Sequence, residues 1–298
     1  MTKPKLLIIV GPTSSGKTSL SIKLAQDFSG EVISADSRQV YRGLDLASGK
    51  VTTGEMSNVP HHILDIAEPS SVYTADDFKR DAQEAITKII ARQRLPIIAG
   101  GTFFYIDALL GKQSLPAVPP NSALRAELEQ KNVTELFALL AAQDPMRAVS
   151  IDRHNPRRLI RALEIVAALG AVPPPTPTDS PYDTLILGID ITKDTLHQNI
   201  HQRLQERLQD GLVTEIKQLV ANGITYDRLE DLGLECRYVS YYLQNKLDYE
   251  TMVTELEIKI HQFAKRQLTW LKRDQSIIWV KTSEYAQIAA HVSRWLNS

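Results

Sequence analysis

One cysteine, Cys236, stands among 298 residues. That count excludes an intrachain disulfide and any multi-cysteine zinc site, and it fits a reducing compartment. Long apolar runs are also missing. The amino-terminal one covers only residues 6–10 (LLIIV), far too short for a signal-peptide core or a membrane span. The expected location is the cytoplasm, with no membrane partner. Excess charge of either sign is absent too. With a net charge of −1, the protein is not a polycation, and any nucleic-acid surface must come from local clustering. No internal repeat, low-complexity block or disordered tail is visible. What is present, 43% hydrophobic and 23% charged residues, is the composition of an ordinary globular chain with one large domain or two smaller ones.

Six short, β-branched-rich runs read as buried parallel strands: KLLIIVG, EVISAD, HHILDI, LPIIAGG, TLILGID and SIIWVK. Longer stretches with helical spacing separate most of them. Strands alternating with helices imply an open α/β sheet covered on both faces, which binds ligands at the carboxyl ends of its strands. Two regions break the alternation. Residues 115–169 hold no strand candidate and carry helix-start signals at Asn121/Ser122 and at Asn155 followed by Pro156. The segment GAVPPPTPTDSP, with five prolines from Pro173 to Pro181, reads as a surface linker. Residues 195–273 are again mainly helical. The expected organisation is therefore a P-loop-type parallel sheet core with a helical insertion domain: core over 1–114, insertion and linker over 115–180, and the second part of the core over 181–298.

Gly11, Pro12, Thr13, Ser14, Ser15, Gly16, Lys17 and Thr18 match G-x-x-x-x-G-K-[ST]. The match follows a strand and opens a helical pattern, as its mechanism requires. The glycines let the backbone wrap an anion, and the N–H groups at the helix start point at it. Lys17 adds a full charge, and the Thr18 hydroxyl is a Mg²⁺ ligand in loops of this type. A di- or triphosphate is the expected ligand. ATP hydrolysis does not follow from the motif, although a nucleotide such as ATP is a candidate competitor for the loop.

Asp36 lies just past the second strand. It could bind Mg²⁺ through water, bind an acceptor hydroxyl, serve as a general base, or simply cap a helix. Gly100 and Gly101 end another strand and open a helix; Gly-Gly-Thr could simply make a tight strand–helix turn, or let a bulky substrate approach the backbone beside Thr102. Arg203 borders the helical stripe Leu196, Ile200, Leu204 and Leu208, where its charge could face a cleft. Two basic patches stand out. RHNPRRLIR holds Arg153, Arg157, Arg158 and Arg161, and residues 258–273 hold five Lys/Arg and no acid, with Arg266, Trp270 and Arg273 spaced along one face. The pairs His61/His62 and His197/His201 lack an obvious carboxylate or cysteine cluster, so they are assigned to strand entry and helix surface rather than to a metal.

Taken in order, GPTSSGKT, SADSRQVYRGLDLASGK, PHHILDI, AGGTFFY, RRLIRALE, QRLQERLQDGLVTEI and FAKRQLTW resemble the tRNA isopentenyltransferase family, the tRNA dimethylallyltransferases of bacterial and plastid type. The resemblance runs from Gly11 to Trp270. It implies transfer of a dimethylallyl group from dimethylallyl diphosphate to N6 of the adenosine 3′-adjacent to the anticodon, in tRNAs reading codons that begin with U. It assigns Asp36 as general base, and Thr13, Lys17 and Arg203, with Mg²⁺ on Thr18, as stabilisers of the leaving diphosphate. It places Asp36, Ser37, Arg38, Gln39, Thr102, Arg125, Arg157, Arg158, Arg161, Arg237, Lys265, Arg266, Gln267 and Trp270 against the tRNA anticodon stem-loop. A monomer is expected. The chain departs from the family pattern at Cys236-Arg237-Tyr238 and at Phe103-Phe104-Tyr105, and it lacks the Thr-Arg that often precedes the last basic motif. Competing readings of the same residues are a P-loop small-molecule kinase and an RNA-binding protein with a relic phosphate loop.

Overall fold

Side chains of a β-strand point alternately to opposite faces, and here each set meets its own layer of helices. The computed structural model describes residues 3–113, 116–174 and 176–298. The chain divides into two compact units, Met1–Leu110 with Asp179–Ser298, and Gly111–Thr178. The expected boundary at Leu115, and Pro175 of the proline run, lie outside the described residues.

The larger unit starts with β1 (Lys5–Val10), α1 (Lys17–Asp27), β2 (Gly30–Ser34), the single turn α2 (Thr53–Met56), β3 (His61–His62), α3 (Ala75–Ala91), β4 (Leu95–Gly100) and α4 (Phe103–Leu109). The smaller unit supplies α5 (Ser122–Leu128), α6 (Val133–Gln143), α7 (Pro145–Ser150) and α8 (Pro156–Leu169). The chain then returns with β5 (Asp183–Ile189), α9 (Lys193–Gln209), α10 (Leu212–Ala221), α11 (Tyr226–Leu232), α12 (Leu234–Leu243), α13 (Tyr249–Leu271), β6 (Ile277–Val280) and α14 (Tyr285–Leu296).

The six strands form one parallel sheet in the order β3-β2-β4-β1-β5-β6. Leu7 of β1 pairs with Ile97 on one side and Leu185 on the other. Leu6, Ile8, Ile33, Ile98 and Ile186 face a layer that includes Phe78 and Ile86 of α3 and Leu196, Ile200 and Leu204 of α9. Leu7, Ile9, Val32, Ile97 and Leu187 face Leu20 and Leu24 of α1 and Ile288 and Val292 of α14. Each buried aliphatic side chain contributes about 1.5–3 kcal/mol, so these two layers hold the sheet rigid beneath its carboxyl-terminal edge.

One expected strand is cut short. HHILDI pairs only through His61 and His62, opposite Val32 and Ile33. Ile63 and Asp65 then adopt left-handed backbone, φ 62° and 54°, which turns the chain out of the ladder. Among the described residues no helix is long and apolar enough to cross a membrane.

The smaller unit has its own core, built on Leu128, Leu136, Leu140, Leu159 and Leu163. Asn121, Asn132, Asp144 and Asn155 cap its four helices by accepting from backbone amides. The Glu164 side chain is fully buried and carries the unit's main polar cluster. Arg125 donates to both its oxygens at 2.8 Å, the Asn121 amide adds a bond at 2.7 Å, and Arg161 approaches at 3.4 Å. Burial by itself would raise the Glu164 carboxyl. These donors outweigh burial and hold it below the ordinary glutamate range.

Candidate active site

The carboxyl ends of β1, β2 and β4 deliver the site. After β1 the chain enters the loop from Gly11 to Gly16, where Ser14 (φ 59°) and Gly16 (φ 90°) are left-handed. Helix α1 begins at Lys17 with no side-chain cap and no acid in its first turn. Its amino-terminal N–H groups and positive dipole end are thus left to the loop. A Cβ at Gly16 would meet nothing within 4 Å, so the loop opens there into free space. Lys17 folds back and donates to the Pro12 carbonyl at 2.6 Å. Burial lowers its ammonium to about 8; Asp36 opposes that shift and Arg203 adds to it. A lysine so disfavoured in its charged form is poised for a counter-anion. The Ser15 hydroxyl is buried without a partner inside the same loop.

Asp36 follows β2. Its Oδ1 accepts from the Arg38 amide at 2.8 Å, closing a tight turn. The capping alternative fails, because the next helix begins only at Thr53. Among the described residues Oδ2 accepts no hydrogen bond. The tips of β2 and β4 are locked together: Thr102 N donates to Ala35 O at 3.1 Å, and the Thr102 hydroxyl accepts from Ser37 N at 3.0 Å. A Cβ at Gly100 would lie 2.2 Å from Ala35 O, so only glycine permits this approach. Gln39 accepts from the Ser34 hydroxyl and donates to Gly49 O at 3.2 Å.

The far wall comes from α9. Asn199 donates to Ser14 O at 3.0 Å, and Arg203 Nη2 donates to Gly49 O at 3.1 Å. Burial, then the neighbouring Arg207, lower the Arg203 guanidinium to about 10, while Glu235, Glu55 and Asp36 act against that shift. Arg207 pairs with Glu235 at 3.2 Å. Burial pushes the Glu235 carboxyl up in spite of Arg207 and Arg203. The loop carrying Gly49 is anchored from below, since the Glu215 carboxylate accepts from the amides of Asp45, Leu46 and Ala47 at 2.7–3.1 Å. Between phosphate loop, α1 and α9 lies a cleft of about 680 Å³, lined by residues 14–19 together with Ile22, Val51, Glu55, Asn199 and Arg203. Gly49, Arg207, Glu235 and Asn199 were not singled out from the sequence. The one available signal was the i,i+4 spacing of Arg207 from Arg203.

Residues 39–274 match the IPP transferase family. The chain belongs to that family. Among curated relatives, the tRNA dimethylallyltransferase of Thermomicrobium roseum is 39% identical, covering 100% of this chain and 93% of its own. tRNA dimethylallyltransferase 1 of Porphyromonas gingivalis is 41% identical over 90% of this chain and 89% of that one. Among solved structures, the full-length tRNA isopentenylpyrophosphate transferase of Bacillus halodurans superposes with a TM-score of 0.75 at 35% identity, covering 99% of this chain and 97% of its own. A eukaryotic dimethylallyltransferase acting on tRNA gives 0.81 at 28% identity, over 97% of this chain and 77% of that one. Membership of the IPP transferase family favours the transferase reading over the kinase and relic-loop alternatives.

The remaining candidates of this IPP transferase fall into distinct settings. Lys265 and Arg266 are exposed on α13, where Arg266 lies 5.9 Å from the Phe263 ring. Trp270 is 39% exposed, with Arg273 5.8 Å from its ring. Arg38 is half-buried beside Gly233. Arg237 turns inward and donates to the Glu230 carbonyl at 3.1 and 2.6 Å. In the smaller unit Arg157 and Arg158 are exposed, whereas Arg125 and Arg161 are drawn onto Glu164. Gln267 is buried.

Among the described residues a single carboxylate reaches each histidine pair. The buried Glu31 contacts His62 at 2.7 Å, and Glu257 contacts His201 at 3.1 Å and His261 at 3.6 Å. The pairings arise across elements distant in sequence. Still, among the described residues no group of three or more His, Cys, Asp or Glu is placed to hold a metal ion.

Proposed function

We propose that this protein is a tRNA dimethylallyltransferase, joining C1 of dimethylallyl diphosphate to N6 of an adenosine in the anticodon loop. One observation carries the reading. Asp36 and the phosphate loop stand at the tips of β2 and β1, with only β4 between them. Two strand spacings set them about 10 Å apart across the sheet edge, enough for a purine amine and a short isoprenoid between base and diphosphate.

The chemistry follows from that spacing. The adenine N6 lone pair is delocalised into the ring, so the amine needs a base as it attacks. The N6–C1 bond forms, the C1–O bond to diphosphate breaks, and the N6 proton passes to Asp36 Oδ2, the oxygen left open by the turn. Charge collects on the departing diphosphate. Lys17, the amides of the loop, Arg203 and the Thr13 hydroxyl would stabilise it. Among the described residues no group of three or more His, Cys, Asp or Glu is placed to hold a metal, and the Thr18 hydroxyl would hold Mg²⁺, an ion that keeps several of its waters. When bound, Mg²⁺ neutralises leaving-group charge. Thr102 and residues 36–39 line the place for the extruded base. Unstacking is cheap in a single-stranded loop, and the exposed Lys265, Arg266 and Trp270 offer the RNA phosphates and a stacking surface. The target position, 3′-adjacent to the anticodon in tRNAs reading codons that begin with U, belongs to the same reading.

The test is a competition. The protein is incubated with labelled dimethylallyl diphosphate, ATP and unmodified tRNA. Label in the adenosine beside the anticodon is the expected result, and ATP turnover without label in RNA overturns the reading.

A further inference from the structure

Gln267 differs from the cations around it on α13. It is 7% exposed, and both ends of its amide are bonded. Oε1 accepts from the Thr13 amide at 2.8 Å, and Nε2 donates to the Gly101 carbonyl at 3.1 Å. Thr13 belongs to the phosphate loop after β1; Gly101 belongs to the turn after β4. A Cβ at Gly101 would lie 2.5 Å from Gln267 Nε2, so the glycine there is what lets the amide in. Ala264 and Leu271, one turn to either side, are buried and fix the helix in place. Asn199 of α9 holds the next loop residue through Ser14 O.

We propose that Gln267 is a positioning residue for the diphosphate cradle and not an RNA contact. Its amide spans the tips of two strands and aims the Thr13 hydroxyl. Riding on the helix that presents Lys265, Arg266 and Trp270, it keeps the donor loop in register with that basic face. The role needs one acceptor and one donor at fixed reach. Asn is a methylene too short, and a carboxylate supplies two acceptors, one facing a carbonyl. A protonated carboxyl restores the donor–acceptor pair. The proposal rests on the transferase reading.

Two variants test it, Gln267→Met and Gln267→Glu, measured against wild type by single-turnover transfer at saturating donor and stem-loop RNA, by stem-loop Kd, and by Kd for inorganic diphosphate with Mg²⁺. Gln267→Met is expected to slow transfer about 10- to 100-fold, the scale of an ångström-level misplacement, and to weaken diphosphate binding, with RNA Kd within about twofold. For Gln267→Glu, the ratio of its rate to wild type should rise as pH falls, because burial favours the protonated carboxyl. Groups that titrate alike in both proteins cancel in the ratio. A weakened RNA Kd with an unchanged saturated rate overturns the proposal and makes Gln267 an RNA contact; a pH-independent ratio near one overturns it outright. Should Gln267→Met not fold, the glutamate ratio decides. If wild type itself transfers no label, the transferase reading fails separately, and the diphosphate Kd still decides the role of Gln267.

Discussion

The carbonyl of Gly49 accepts a hydrogen bond from Arg203 Nη2 at 3.1 Å. The contact joins the loop after β2 to the helix opposite the phosphate cradle, and the space a side chain at Gly49 would need is taken by the Arg207 and Arg203 guanidiniums. The Gly49 φ is 59°, and a Cβ there would lie 1.7 Å from Arg207 Nη2. Gly49→Ala therefore has to move both guanidiniums. Steady-state kinetics should show the donor KM rising about tenfold or more, with RNA affinity little changed. An unaltered donor KM would remove Arg203 from the diphosphate clamp.

Asp36→Asn separates turn from base. The asparagine Oδ1 can still accept from the Arg38 amide, so the backbone survives, but the side chain no longer takes a proton. Transfer should fall about 10²- to 10⁴-fold, the usual contribution of general-base catalysis, while stem-loop Kd stays within about threefold. A near-normal single-turnover rate would exclude Asp36 as the base.

Lys17 sets a pH limit on donor binding. In the free protein burial lowers its ammonium to about 8. Below that pH the charge is present to meet a diphosphate, and a bound anion stabilises it further. Above that pH the free protein has lost the proton, and binding must restore it. Calorimetric titration with Mg-diphosphate should give affinity that is flat in mildly acid buffer and falls as pH rises through about 8. Lys17→Met should bind weakly at every pH, with no such break.

Glu164 holds the smaller unit together. Glu164→Gln leaves Arg125 and Arg161 without their counter-charge and should cost about 2 kcal/mol, discounted because both arginines are about one-third exposed. The carboxyl is held below its ordinary value. Its stabilisation is therefore complete above the unfolded-state pKa and lost as pH falls through the folded one. Thermal melts should show wild type losing this advantage over Glu164→Gln in acid. Parallel melting curves across that range would refute the assignment.

RNA binding should depend on salt through the exposed face of α13. Lys265→Ala and Arg266→Ala should each weaken stem-loop binding and reduce the log Kd–log salt slope by about 0.7 per lost phosphate contact. Trp270→Ala should cost about 1–3 kcal/mol if a base stacks on it, with the slope unchanged. Unchanged slopes in the lysine and arginine variants would move the RNA elsewhere.

What the sequence made legible was written locally. The phosphate loop is eight consecutive residues, Asp36 lies at a strand end, and the strands are unbroken apolar runs. Arg203 was visible at the edge of its helical stripe. What it hid lies between segments far apart in the chain. Gly49 meets Arg207, Glu215 gathers three amides of the loop from residue 45, Asn199 reaches Ser14, and Gln267 spans two strand tips. The shortened third strand was illegible because Ile63, a residue that disfavours positive φ, adopts it anyway. The resemblance set Arg125 and Arg161 against the tRNA, and their pairing with Glu164 stayed hidden because Glu164 looks, in sequence, like one acid on a helix rather than a buried hub.

The central position of β1 has a consequence for how the chain matures. Its residue Leu7 pairs with Ile97 and with Leu185, so the strand waits for partners made much later. Until β5 is synthesised, one flank of the most apolar strand stays open, a template for wrong pairing. Chains halted before Asp183 should therefore aggregate, and the anion cradle at the end of β1 gains its second supporting strand only after the whole smaller unit has been translated.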